Sequence, residues 1–167
     1  MAKSSKDSFV FDTSALISLA SIDLIENIIK HFNVISTESV IKELDDFSKF
    51  EDRFGNASKE VLKYKNNFTI KSAKIIKKIE FIEETDNELF NLALKEKIVL
   101  ITDDTKISYH TRKDIETNFS TFFLGFLIGT KTISKEDAID KLEKLRDLRS
   151  WKNNIIYLTT KKELEDL

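Results

Sequence analysis

The sequence predicts an α/β fold in which a mainly parallel sheet carries helices on both faces. Short apolar runs that resemble buried strands alternate along the chain with segments whose apolar residues recur every three or four positions. Residues 98–101 form an uninterrupted aliphatic run, which is typical of a strand buried on both sides of a parallel sheet. Strands that alternate with helices in this way favour βαβ units, whose helices cover the faces of the sheet.

The first half of the chain contains two predicted strand–helix pairs. They are a strand over residues 8–12, a helix from 13 to about 29, a strand over 33–36 and a helix that begins with 37–44. Thr13 or Ser14 is expected to cap the first helix, and Ser36 or Thr37 the second. Each of these hydroxyls can accept a hydrogen bond from a backbone amide in the first helical turn.

The middle of the chain is more polar. Gly55 and Asn56 indicate a break before a helix over 57–68, and residues 69–82 are compatible with either a strand or a helix. Trp151 and residues 155–158 are expected to dock the C-terminal part onto the body. The other predicted elements are a helix from 85 to about 94, the strand 98–101, a helix over 105–114, an edge strand over 118–123, a charged helix from 134 to about 149 and a last helical turn near 160.

Composition excludes several classes of function. The chain has 167 residues, of which 41% are hydrophobic, so we expect one globular domain. A net charge of −2 excludes a polycation that binds nucleic acid by charge alone. The absence of cysteine excludes disulfides, thiolate metal sites and thiol nucleophiles. No apolar stretch is long enough to cross a bilayer and residues 1–8 lack the apolar segment of a signal peptide, so we expect a cytoplasmic protein.

Acidic residues follow the predicted strands at informative positions. Asp12 ends the first strand, and Asp103 and Asp104 follow the strand 98–101. Glu43 lies on the inward face of the second helix, and Asp86 lies in the first turn of the helix that precedes residues 98–101. Sites in open parallel sheets form outside the carboxyl ends of the strands. We therefore expect these acids to converge on one rim of the sheet.

Such convergence is electrostatically unfavourable unless a cation occupies the cleft, because neighbouring carboxylates repel each other and raise each other's pKa values. Mg²⁺ and Mn²⁺ prefer oxygen ligands and would offset this repulsion. Two such ions about 4 Å apart can support the hydrolysis of a phosphodiester. The pattern therefore predicts a divalent-metal site.

Four segments of the chain resemble the motifs of PIN domains. They are residues 9–16 around Asp12, 39–44 around Glu43, 85–89 around Asp86 and the Ile101-Thr102-Asp103-Asp104 segment. Their order and rough separation match the family, and the resemblance spans about residues 8–130. Residues 131–167 are similar to the C-terminal tails of small prokaryotic members, here expected as a helical extension packed on the core.

The resemblance implies a three-layer α/β/α sandwich and a metal-dependent ribonuclease site. The catalytic carboxylates, which would also bind Mg²⁺ or Mn²⁺, would be Asp12, Glu43, Asp86 and Asp104. Asp103 is a further candidate metal ligand, although Asp104 matches the second acid position of the family's Thr-x-Asp pattern better. The hydroxyls of Ser14 and Thr102 match positions that orient these acids.

Basic residues near the acid pair are weaker candidates for contact with nucleic acid. Lys106, His110 and Arg112 follow the acids on the predicted helix, and a solvated helix face is the alternative interpretation. A further basic run, which could follow an RNA backbone or simply be exposed, comprises Lys71, Lys74, Lys77 and Lys78.

The function that the resemblance implies is endonucleolytic cleavage of single-stranded RNA, leaving 5′-phosphate ends. Membership among small PIN proteins also implies the toxin of a toxin–antitoxin pair, with an antitoxin protein as partner. A homodimer is a further expectation, with Leu124, Leu127 and Ile128 as candidate interface residues. No membrane partner is expected.

The residues alone leave three alternatives open. Each acid has a simpler structural explanation when taken singly, such as a helix cap for Asp12 or Asp86 and a surface acid or lysine partner for Glu43. A PIN-like module could bind nucleic acid or protein without catalysis. A receiver-type phosphoacceptor also uses acids at strand ends, but it needs the acid pair after the first strand, whereas this pair comes late.

Overall fold

A five-stranded parallel sheet forms the centre of the chain, as a computed structural model of residues 6–167 describes it. The strands are β1 (Ser8–Phe11), β2 (Asn33–Ser36), β3 (Thr69–Ile70), β4 (Leu100–Ile101) and β5 (Thr117–Asn118). Their order is β3-β2-β1-β4-β5, and all four pairings are parallel. The predicted parallel sheet is therefore confirmed.

The order of the strands reverses at β1. Val10 of β1 pairs with Ile35 of β2 on one side and with Leu100 of β4 on the other. The chain thus runs from β1 toward one edge and returns to build the other, so that the ends of β1 and β4 lie side by side. A reversal of this kind opens a crevice outside the carboxyl ends of the strands.

Helices cover both faces of the sheet. In the part of the chain that the structure describes, they are α1 (Thr13–Ser21), α2 (Ile25–His31), α3 (Glu38–Phe47), α4 (Arg53–Lys63), α5 (Glu84–Glu96), α6 (Thr105–Thr111), α7 (Phe122–Gly129), α8 (Lys135–Arg149) and α9 (Ile155–Asp166). Helix α1 packs against α3, α4 and α8, whereas α5 packs against β1 and β4. Because parallel crossovers are right-handed, connections that run in opposite directions cover opposite faces. This arrangement confirms the predicted three-layer sandwich.

Phenylalanine rings fasten α7 to the sheet. Phe123 stacks on Phe11 of β1 with ring centroids 5.6 Å apart, and Phe32 lies 5.0 Å from Phe123. Leu124 and Leu127 are fully buried beside them. The prediction that these two leucines form a dimer interface is therefore wrong, because they belong to the core of a single chain.

The predicted first helix is divided into α1 and α2. Asp23 has a φ of 59°, and its amide donates to the carbonyl of Ala20 while the amide of Leu24 donates to that of Leu19. These two bonds are the Schellman arrangement that ends a helix, and aspartate tolerates the left-handed backbone better than most residues. Apolar spacing continued across the turn, which is why the sequence indicated one helix.

The predicted break at Gly55 is also wrong, because Gly55 lies in the first turn of α4. Asp52 caps this helix by accepting a hydrogen bond of 2.8 Å from the amide of Gly55. A Cβ atom at position 55 would stand 1.9 Å from the carbonyl oxygen of Phe50. The glycine therefore permits a close approach of two backbone segments.

Two elements in the C-terminal part of the chain differ in length from their predictions. The edge strand predicted over 118–123 is only two residues long and gives way to α7, while the predicted last turn is the three-turn helix α9. The charged helix is confirmed as α8, with Ser134 as its N-cap. Trp151, Ile156 and Tyr157 are buried as expected, whereas Ile155 and Leu158 are exposed on α9. Within residues 6–167, no helix combines the length and hydrophobicity that a membrane span requires.

Of residues 69–82, which the sequence left compatible with either a strand or a helix, the first two form β3. Residues 71–83 are irregular and are held by two asparagines of α5. The Asn87 side chain accepts from the amide of Ile79 and donates to the carbonyl of the same residue. The Asn91 side chain accepts from the amides of Ile76 and Lys77 and donates to the carbonyl of Lys77. Both asparagines are buried, so their bonds replace those that a regular element would have provided.

Gly55→Ala should destabilise the fold by about 1–3 kcal/mol, since the new methyl group must displace backbone atoms. Gly125→Ala is the matched control, because a Cβ there meets no atom within 4 Å and alanine favours a helix interior. We expect this control to gain about 0.5–1 kcal/mol. Urea unfolding of both variants and the parent tests the pair, and a Gly55→Ala variant as stable as the parent would contradict it.

Candidate active site

A cavity of about 230 Å³ lies where the chain leaves β1 and β4. Four of the predicted site acids line it together, although they come from four separate segments. The complete lining is Asp12, Thr13, Ser14, Glu43, Ile82, Glu83, Asp86, Leu89, Asp104, Lys106 and Ile107. Carboxylates therefore dominate the cavity, and among residues 6–167 Lys106 is the one cationic residue in its lining.

Asp12 is buried at the floor of this cavity and caps α1. Its carboxylate accepts hydrogen bonds from the amide of Ala15 at 2.7 Å, from Thr102 Oγ1 at 2.5 Å and from Ser14 Oγ at 2.8 Å. Burial raises the pKa of Asp12 to about 7, against the opposing effect of these donors. The predicted supporting residues Ser14 and Thr102 both contact Asp12 directly.

Glu43 is held by Thr13, which the sequence indicated as a possible cap of the first helix, a role that Asp12 takes instead. Thr13 Oγ1 donates to Glu43 Oε2 over 2.5 Å, which joins the start of α1 to α3. Among residues 6–167, no salt bridge joins Glu43 to a lysine. The hydroxyl contact orients the carboxylate along the cavity wall without neutralising it.

Asp86 lies in the first turn of α5, half-buried at the cavity wall. Burial and, to a smaller extent, the charges of Glu43 and Asp104 raise its pKa to about 6. The charge of Glu83, which also lines the cavity, acts on the pKa of Asp86 in the same direction.

The two members of the acid pair point in different directions. Asp104 lines the cavity and caps α6, where its Oδ1 accepts from the amide of Lys106 at 2.8 Å. Asp103 does not line the cavity. Its buried carboxylate accepts from the amide of Ser120 at 2.8 Å and from Ser120 Oγ at 2.7 Å, which ties β4 to the segment before α7. Burial raises the pKa of Asp103.

The basic residues are divided among different surroundings. Of the three weaker nucleic-acid candidates, only Lys106 lines the cavity. Further along α6, His110 stacks against Phe81, and the guanidinium of Arg112 lies 4.6 Å from the ring centre of Tyr109. In the basic run, Lys71 pairs with Glu96 and Lys77 pairs with Asp114.

Sequence reasoning missed the residues that support the site from other elements. Thr13 donates to Glu43, and Ser120 donates to Asp103, which does not line the cavity. Asn87 donates to the carbonyl of Ile82 and so positions that part of the cavity wall. A usable signal was present for the last of these. Asn87 and Asn91 are four residues apart, so they share one face of a helix whose neighbouring positions are apolar.

The donor set fits a small divalent cation. Carboxylate oxygens are the ligands that Mg²⁺ and Mn²⁺ prefer, and mutual repulsion among the acids is the condition that such a cation relieves. Within the described residues, no three acidic or imidazole groups are arranged to hold an ion as they stand. Thr13 donates a hydrogen bond to Glu43, and the amide of Lys106 donates one to Asp104.

Comparison with known proteins adds a family match. A family model described as a PIN domain matches residues 8–166. A solved structure of VapBC-1 from nontypeable Haemophilus influenzae is similar over 68% of this chain and 98% of that one, with 13% sequence identity and a TM-score of 0.45. A search of curated proteins found no match.

The raised pKa of Asp12 predicts a fold that loses stability as pH rises. The pKa of this carboxyl is about 7 in the folded protein, whereas in the unfolded chain it is about 4. Raising the pH from 5 to 8 therefore favours unfolding, by on the order of 2 kcal/mol from this residue.

Asp12→Asn should remove that part of the pH dependence, because asparagine stays neutral. Urea unfolding at pH 5 and pH 8 without divalent cations measures the difference between the variant and the parent. Equal losses of stability in the two proteins would contradict the assignment to Asp12.

Proposed function

We propose, from the premise that this chain belongs to the PIN-domain family, that it is a metal-dependent endoribonuclease that hydrolyses phosphodiester bonds of single-stranded RNA. PIN domains are generally nucleases, and PIN nucleases generally use divalent metals. The observation that carries the proposal is the single cavity lined by Asp12, Glu43, Asp86 and Asp104.

In this proposal, the four carboxylates hold Mg²⁺ or Mn²⁺ at the end of the sheet. The cation, when bound, would polarise the scissile phosphate and lower the pKa of a water molecule beside it. Glu43 and Asp104 would turn from their present donors toward the cation, while Asp12 would stay fixed by Ala15 and Thr102. Asp103 has no part in the proposal, because Ser120 occupies both of its oxygens.

Lys106 has a separate part in the proposal. Its position in the cavity lining gives a phosphate group one positive partner that belongs to the protein. A lysine attracts phosphate as a point charge, so it would hold the backbone of the substrate without selecting its bases. It would also offset the charge of a cavity that otherwise repels a polyanion.

The finer biological role that the resemblance implies stays a prediction. A toxin would be neutralised by an antitoxin protein, and a homodimer would require a surface other than Leu124 and Leu127. Co-expression with the product of a neighbouring short gene tests the first expectation, and the mass of the purified protein in solution tests the second.

Removal of single carboxylates should abolish cleavage while the fold persists. Asp86→Asn and Asp104→Asn are each expected to reduce Mg²⁺-dependent cleavage of a single-stranded RNA by about 100-fold or more, since each would remove a ligand of the cation. Asp45→Asn is the matched control, because Asp45 is exposed on α3 and does not line the cavity. Cleavage by the two variants at the rate of the parent would refute the proposal.

Loading of the cavity with metal should release protons. The pKa values of Asp12 and Asp86 are raised to about 7 and about 6, and carboxylates must lose their protons to ligate. We therefore expect Mn²⁺ to bind more tightly at pH 8 than at pH 6. Calorimetric titration in buffers of different ionisation enthalpy measures both the affinity and the protons released. An affinity that is independent of pH would contradict the prediction.

A further inference from the structure

We propose that Phe81 and Tyr109 form a stacking surface for the bases of single-stranded nucleic acid beside the acidic cavity. This inference rests on the proposed function and deepens it, because it names the part of the protein that would select unpaired strands. The stacking surface comprises Phe81, Tyr109, His110 and Arg112.

Both rings are unusually open to solvent for residues of their type. Phe81 is 62% exposed and Tyr109 is 61% exposed, although large aromatic side chains are normally buried. Exposed aromatic faces are the means by which proteins hold single strands, since every base offers a π face. Two such rings close together therefore call for a ligand of this kind.

The rings are fixed in place by their neighbours. The imidazole of His110 stacks on Phe81 with centroids 5.1 Å apart and planes inclined by 23°, and it meets Tyr109 edge-on at the same distance. Arg112 covers Tyr109 with its guanidinium 4.6 Å from the ring centre. A surface that is already ordered loses little side-chain entropy when a base stacks on it.

Two segments of the chain connect the stacking surface to the acidic cavity. Phe81 directly precedes Ile82 and Glu83, which line the cavity. Lys106 of α6 also lines it, and His110 lies four residues later on the same helix face, about 6 Å further along the axis. A strand whose phosphate enters the cavity would therefore bring a neighbouring base to the rings.

The segment that carries Phe81 is anchored rather than free. Asn87 and Asn91 bind its backbone at Ile76, Lys77 and Ile79. Lys77 also pairs with Asp114, which follows α6, at 2.5 Å. These bonds hold the irregular segment against α6, so that Phe81 keeps its position over His110.

Charged residues of both signs lie near the rings. The guanidinium of Arg112 lies over Tyr109, and Lys106 precedes Tyr109 by three residues on α6, so both cations can attract the phosphates of a strand stacked there. Glu80 and Glu83, which are close to Phe81 in the chain, are acidic and exposed. In a duplex the bases stack on each other and their faces are covered, so that only an unpaired strand could use the rings. The surface therefore predicts a preference for single strands with little dependence on base identity.

Fluorescence of 2-aminopurine tests the proposal independently of cleavage. A single-stranded oligonucleotide with one 2-aminopurine is titrated in EDTA with the parent, with Phe81→Leu and with Tyr109→Leu. Leucine retains apolar bulk but removes the aromatic ring. Ile76→Ala is the matched control, because Ile76 is 88% exposed on the same segment and only its backbone binds Asn91.

We expect the parent to quench the fluorescence, and each leucine variant to quench less and to bind about tenfold more weakly, as base stacking on one ring predicts. The Ile76→Ala control should behave as the parent, and a duplex of the same sequence should bind weakly to all four proteins. Circular dichroism confirms that each variant is folded.

Failure of the parent to bind the single strand, or equal quenching by the parent and both leucine variants, would overturn the proposal. Cleavage in Mg²⁺ is measured separately on the same proteins. Ring-dependent binding without cleavage would support the stacking surface while refuting the nuclease, and cleavage without ring-dependent binding would do the reverse. RNA and DNA oligonucleotides of one sequence show which sugar the surface accepts.

Discussion

The arrangement of the whole site depends on one buried carboxylate. Asp12 joins the end of β1 to the first turn of α1 through the amide of Ala15, and to the end of β4 through Thr102. A negative charge in that position is unfavourable, because burial removes the water that would solvate it. The hydrogen bonds only partly compensate, as the raised pKa of Asp12 demonstrates. The fold therefore places an unfavourable buried charge at the point where β1, α1 and β4 meet.

The other acids of the cavity add further negative charge beside Asp12. Asp86 lies in the first turn of α5 and Asp104 caps α6, and at both helix starts the dipole favours a negative charge. Thr13 supplies a hydroxyl to Glu43. These local interactions stabilise the acidic residues around the cavity, where Lys106 is the one cation among the described lining residues. Asp12, Glu43, Asp86 and Asp104 line one cavity, so the divalent ion proposed above would offset the charge of all four. The reversal of strand order at β1 is what makes that common space available.

The sequence permitted prediction of the sheet and of the cavity acids, because both have local signals. Alternating strand and helix periods indicate the layers, and an acid directly after an apolar run indicates a residue at the end of a strand. The errors arose where tertiary contacts decide. The role of Gly55 depends on the distant carbonyl of Phe50, and the end of α1 depends on a left-handed Asp23. Asp103 and Asp104 are adjacent in sequence, and only the position of Ser120 separates their roles.

The asparagine anchors of α5 have a consequence for how proteins of this design can diverge. Asn87 and Asn91 bind residues 76–83 through main-chain atoms, never through a side chain of that segment. Any residue other than proline at Ile76, Lys77 or Ile79 therefore keeps the amide that these hydrogen bonds use. The side chains of this segment, which adjoins the cavity at Ile82, can thus change while the hydrogen bonds that anchor its backbone are kept.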